Sequence, residues 1–116
     1  MLAGGWADVG FSSSEIAVKE TFEETGIVVT AKKLLKVLSK AKHDYPKSLE
    51  YVYKFFIVCE AASFEVAAGL ETSEVKFVPQ HETHTIYPLS LERNSVADIQ
   101  DIFADHRKPW KATKFD

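Results

Sequence analysis

Cysteine is nearly absent. The one thiol, Cys59, excludes an internal disulfide and sits in an apolar run, which suits a small buried hydrophobe better than a nucleophile. A basic excess is also missing. Fourteen Lys and Arg stand against seventeen Asp and Glu, a net charge of -3, which argues against electrostatically driven nucleic-acid binding. No apolar run exceeds a few residues, so neither a signal peptide nor a membrane span is expected, and a reducing, cytoplasmic setting is the default. Repeats, low-complexity tracts and linkers are absent, so 116 residues read as one domain.

What is present is concentrated near the start. Gly4-Gly5-Trp6-Ala7-Asp8-Val9-Gly10-Phe11 reads as a glycine-rich loop leading into a helix over about 14–25. Ser13 or Ser14 is the expected N-cap, Glu15 suits the positive end of the helix dipole, and Gly26 suits the left-handed stop. Ala17, Val18, Thr21, Phe22 and Thr25 form the less polar face. Glu20, Glu23 and Glu24 fall at i, i+3 and i+4 and so share a face, where like charges repel. A divalent cation would remove that penalty. A solvated acidic face is the bland alternative.

Further on, Ile27–Thr30 reads as a short strand, and about 33–41 as another. The aromatic and β-branched stretch Tyr51–Cys59 is the strongest strand signal and is expected to be central, with Tyr51, Tyr53, Phe55 and Phe56 in the core. Phe64–Val66 and Val75–Val78 are candidate short strands. Lys42–Ser48 and residues 80–90 read as loops, the latter carrying His81 and His84 as solvated residues. Val96, Ile99, Ile102 and Phe103 recur at helical spacing over about 95–105, and residues 106–116 read as a polar tail. Trp6 is expected to enter the core on a strand.

The opening stretch resembles the Nudix box, G-x5-E-x7-R-E-U-x-E-E-x-G-U, where U is a bulky aliphatic residue. Gly5, Glu20, Glu23, Glu24, Gly26 and Ile27 match in register. Phe11 stands where the pattern has Glu, Lys19 where it has Arg, and Thr21 where it has an aliphatic residue. Glu71-Thr72-Ser73-Glu74-Val75 and Leu89-Ser90-Leu91-Glu92-Arg93-Asn94 add a resemblance to a bacterial branch labelled ADP-ribose pyrophosphatase-like, which includes CDP-choline pyrophosphatase-type enzymes. The resemblance covers roughly residues 2–103.

That resemblance implies an α/β (α+β) fold, a Nudix-type α/β/α sandwich around a mixed sheet. It implies hydrolysis of the pyrophosphate bond in a nucleoside diphosphate linked to another group, with Mg²⁺ or Mn²⁺. Glu20, Glu23 and Glu24 become the metal ligands, and Glu23, Glu71 and Glu74 the candidates for the catalytic base, Glu71 preferred among the later two. For Glu71 and Glu74 a strand-edge surface role is the competing reading. Gly5 and Arg93 are the candidate substrate contacts, Arg93 being equally readable as a surface ion-pair residue. Lys19 is expected to orient a carboxylate, and Glu15 is a possible substitute for the acid missing at Phe11. Strands that precede the box in the family have no counterpart here, so a truncated domain completing its sheet as a homodimer is expected. The alternative is a Nudix-derived fragment without useful turnover, serving as a binding or oligomerisation module.

Overall fold

A computed structural model describes residues 4–40, 52–63, 96–107 and 112–116. Its elements are α1 (Ser13–Thr25), β1 (Val29–Ser39), β2 (Tyr53–Ala61), α2 (Val96–His106) and β3 (Lys114–Phe115). The strands form a mixed sheet in the order β2-β1-β3. β3 runs parallel to β1, with Lys36 opposite Lys114 and Val37 opposite Phe115. β2 runs antiparallel, because Lys40 N–H donates to Val52 O and Ala62 N–H to Val28 O, so one strand ascends as the other descends. The helix-plus-mixed-sheet architecture agrees with the expected fold class.

The chain divides into two compact units. The described part of the first, residues 4–33 and 57–63, carries α1 and the opening half of β1. Ile16, Ile27 and Val29 are its buried apolar side chains, each stabilising by about 1.5–3 kcal/mol relative to exposure. Ile16, rather than Phe22, is the buried residue of α1; Phe22 is exposed. Lys32 on β1 and Glu60 on β2 pair at 3.7 Å, both largely exposed.

The described part of the second unit, residues 34–40, 52–56, 96–107 and 112–116, buries Leu35, Lys36, Leu38 and Ser39. Successive strand residues point to opposite faces, so burial of adjacent pairs means that both faces of β1 are covered here. Lys36 is buried because α2 supplies acids one turn apart. Its Nζ lies 3.1 Å from Asp105 Oδ2 and 3.6 Å from Asp101 Oδ2, and Lys114 of β3 reaches Asp105 Oδ1 at 2.8 Å. Burial pushes the Asp105 carboxyl up, but its close contacts with the Lys114 and Lys36 ammonium groups outweigh it and hold the carboxyl below its ordinary value. Asp105 Oδ2 is nevertheless buried without a well-formed hydrogen bond, so its contact with Lys36 is an ion pair of poor angle. Two side-chain ties fix β3: Thr113 Oγ1 donates to Leu34 O at 2.6 Å, and Ser39 N–H donates to Asp116 Oδ1 at 2.9 Å.

Several expectations change. The two strands expected at 27–30 and 33–41 are one eleven-residue strand, β1. Lys32 and Lys33 do not break it: on opposite faces of the strand, Lys32 is exposed and Lys33 half-buried. β1, not β2, is the central strand among those described, because it alone has neighbours on both sides. Tyr53 and Phe55 are exposed rather than core. The stretch read as a polar tail contributes β3. Trp6 is exposed at 68% and lies outside any strand. The final helix forms as expected, with Ile102 and Phe103 half-buried. The expected elements at 42–48, 64–66, 75–78 and 80–90, with His81 and His84, fall outside the described residues. No described helix is long and apolar enough to cross a membrane.

Candidate active site

α1 holds the candidate residues, and its ends are tightly specified. The N-cap is Ser12, one residue before the expected position. Ser12 Oγ accepts from Glu15 N–H and Glu15 Oε1 accepts from Ser12 N–H, each at 3.1 Å, a reciprocal capping box. The hydrogen bond from the Ser12 backbone, then that with its side chain, lowers the Glu15 carboxyl below its ordinary value. Glu15 is thus engaged at the helix cap. Gly26 ends the helix at φ 73°, donating from its N–H to Phe22 O at 2.8 Å. Thr21 satisfies its hydroxyl by donating to Ala17 O at 2.7 Å, which explains how a polar residue sits where the box has an aliphatic one.

The loop before α1 turns at Asp8–Phe11, closed by Phe11 N–H donating to Asp8 O at 3.4 Å. Gly10, third in this turn, has φ 91°, a conformation costly for a residue with a Cβ. Gly5 is required for a different reason. A Cβ built there would lie 2.5 Å from Glu20 Cδ and under 3 Å from both carboxylate oxygens. The backbone at Gly5 therefore packs directly on the Glu20 carboxylate, which is 17% exposed. Beside it, Gly4 N–H donates to Glu24 Oε2 at 3.0 Å.

Lys19 joins loop and helix. Its Nζ lies 3.1 Å from Glu23 Oε1, 3.3 Å from Asp8 Oδ2 and 3.7 Å from Glu20 Oε1. Hydrogen bonding to Glu23, then to Asp8, raises its amine above the ordinary lysine value, against a smaller effect of burial. The expectation that Lys19 pairs with a box carboxylate agrees with this geometry. Asp8 is a partner that the sequence alone did not point to.

The donor chemistry fits a hard divalent cation: three carboxylates on one helical face, one seated beneath the Gly5 backbone. As placed, Glu20 and Glu23 share Lys19 while Glu24 accepts from Gly4 N–H, and no three His, Cys, Asp or Glu side chains among the described residues converge on one point. Glu71, Glu74 and Arg93 lie outside the described residues. Phe11 is exposed at 47% and offers no ligand. Cys59 is half-buried, and burial pushes its thiol up, opposite to nucleophile activation.

No protein-family model matches the chain. A solved ADP-ribose pyrophosphatase from Streptococcus suis 89-1591 aligns with the whole chain and with 81% of its own length, at 31% identity and a TM-score of 0.83. The chain belongs to the Nudix hydrolase family. YjhB of Bacillus subtilis (strain 168), provisionally named an ADP-ribose pyrophosphatase, is 36% identical over 115 residues. A solved UDP-X diphosphatase shares the Nudix fold with a TM-score of 0.79 at 22% identity. The chain spans 54% of the length of YjhB and of the UDP-X diphosphatase.

Proposed function

We propose that this chain hydrolyses the pyrophosphate bond of a nucleoside diphosphate linked to another group, with an ADP-ribose-like or CDP-choline-like substrate and Mg²⁺ or Mn²⁺. The contact of the Gly5 backbone with the Glu20 carboxylate is the observation that carries this reading. It gives a physical reason for a glycine fifteen residues before an acid, which an ordinary acidic helix does not need. The names of the relatives support the substrate class.

In this reading Glu20, Glu23 and Glu24 hold the cation, which neutralises the pyrophosphate and acidifies water when bound. A carboxylate takes a proton from water as the water oxygen bonds to phosphorus. The bridging P–O bond breaks, leaving a nucleoside monophosphate and a second phosphorylated product. Glu23, Glu71 and Glu74 are the candidates for that base. Gly5 and Arg93 are the proposed substrate contacts. A cytoplasmic setting and a homodimer complete the proposal.

The test is turnover of ADP-ribose, CDP-choline and NADH with Mg²⁺ or Mn²⁺, comparing the unaltered chain with Glu23→Gln. Metal-dependent turnover abolished by the substitution supports the reading. Turnover that is absent across the panel, or indifferent to Glu23→Gln, sinks it. The second reading, a fragment without useful turnover acting as a binding or oligomerisation module, is favoured by two observations: Phe11 replaces an acid, and no three carboxylates converge among the described residues. Nucleotide binding without product formation would select it.

A further inference from the structure

We infer that Asp8 is a positioning residue for the carboxylate face of α1, acting through Lys19. This rests on the proposed function and deepens it. Lys19 meets carboxylates from two sources: Glu20 and Glu23 from its own helix, and Asp8 from the turn ahead of it. A lysine ammonium has rotatable donors and no planar fork, so its direction is set by the acceptors around it. Without Asp8, every carboxylate that Lys19 contacts among the described residues belongs to the helix. The ammonium would then settle on Glu23 and Glu20, screening two acids proposed to hold the cation.

Asp8 supplies the competing acceptor. Its Oδ2 lies 3.3 Å from Nζ, within 0.2 Å of the Glu23 contact. When Glu23 turns toward a cation, Lys19 keeps a charged partner, so release of Glu23 leaves no unpaired ammonium. The turn that presents Asp8 is held by its own Phe11 N–H bond and by the positive φ of Gly10. The anchor is therefore built into the backbone and does not depend on the helix. Arginine at position 19 could bridge two carboxylates with its fork; lysine there gives the loop acid this task.

The experiment is Mn²⁺ binding to the full chain without substrate, followed by calorimetry or electron paramagnetic resonance. The forms compared are the unaltered chain, Asp8→Asn and Asp8→Glu, with the thermal midpoint recorded for each. The expected result is affinity weakened about tenfold or more in Asp8→Asn, an effect of the size of one outer-shell partner. Asp8→Glu should restore most of it, and the thermal midpoint should hardly move. Equal Mn²⁺ affinity in Asp8→Asn overturns the role of Asp8 and leaves the proposed function intact. A loss in Asp8→Asn not restored by Asp8→Glu, or accompanied by a large drop in midpoint, also overturns it, since the effect would then be structural. Absence of Mn²⁺ binding by the unaltered chain overturns the proposed function itself, and the role of Asp8 with it.

Discussion

Glu20 sits against Gly5 so closely that a single added methyl group at Gly5 would overlap its carboxylate. The group in the way is the end of a flexible side chain rather than backbone. Gly5 also has no positive φ, unlike Gly10 and Gly26. Gly5→Ala is therefore expected to displace the Glu20 carboxylate while leaving the fold intact. Turnover should fall about tenfold or more, as displacements of about 1 Å can cost more than that. The thermal midpoint should change little. A large fall in the midpoint with unchanged activity per folded molecule would contradict this.

Gly10 carries the opposite prediction. Nothing lies within 4 Å of a Cβ there, but φ is 91°. Gly10→Ala should therefore strain the turn at a cost of about 1 kcal/mol, and Gly10→Asn, which tolerates positive φ better, should cost less. Chemical denaturation of the two variants checks the order.

Ser12→Ala removes the hydroxyl that caps α1. Loss of such a cap costs about 1 kcal/mol. Chemical denaturation should show it, and Ser12→Asp, also a good cap, should recover most of the loss.

The charge network of the second unit is asymmetric. Among the described residues, without Asp105 buried Lys36 keeps the contact with Asp101 at 3.6 Å; without Lys36, Asp105 keeps Lys114 at 2.8 Å. Breaking a buried pair from one side costs roughly 3 kcal/mol or more. Asp105→Ala should thus destabilise the chain more than Lys36→Met. The reverse order in urea denaturation would show that Lys114 does not compensate.

Acid should expose the same network. The Asp105 carboxyl is held below its ordinary value in the folded chain. Its contribution is present above the unfolded pKa, about 4, and is lost as pH falls through the lower folded value. Stability should therefore decline below about pH 4, and Asp105→Asn should lack that part of the decline. Midpoints of urea denaturation across the acid range measure it.

Local signals were legible in the sequence and distant ones were not. Helix α1, its glycine stop and the register of Glu20, Glu23 and Glu24 depend on neighbours a few residues away. Helix α2 was equally readable from its apolar spacing. The length of β1 was obscured by Lys32 and Lys33, polar residues on a strand. The placement of β2 was misjudged because apolar content says what a strand can bury, not how many neighbours it has. β3 is two residues long and is held by Lys114–Asp105, Thr113–Leu34 and Ser39–Asp116 contacts, most of them far apart in sequence. At the site, the box register identified Gly5 and Glu20 separately. Their contact, and the reach of Lys19 to Asp8 eleven positions earlier, required the folded loop.

Burial of Lys36 has a practical consequence. A lysine whose side chain is 4% exposed is shielded from acylating reagents, whereas Lys32 and Lys114, whose side chains are about half exposed, remain open to them. Residue-resolved labelling would then find Lys36 protected in the folded chain and reactive once β1 is released. One lysine among several thus serves as a native chemical clock for the opening of its own sheet.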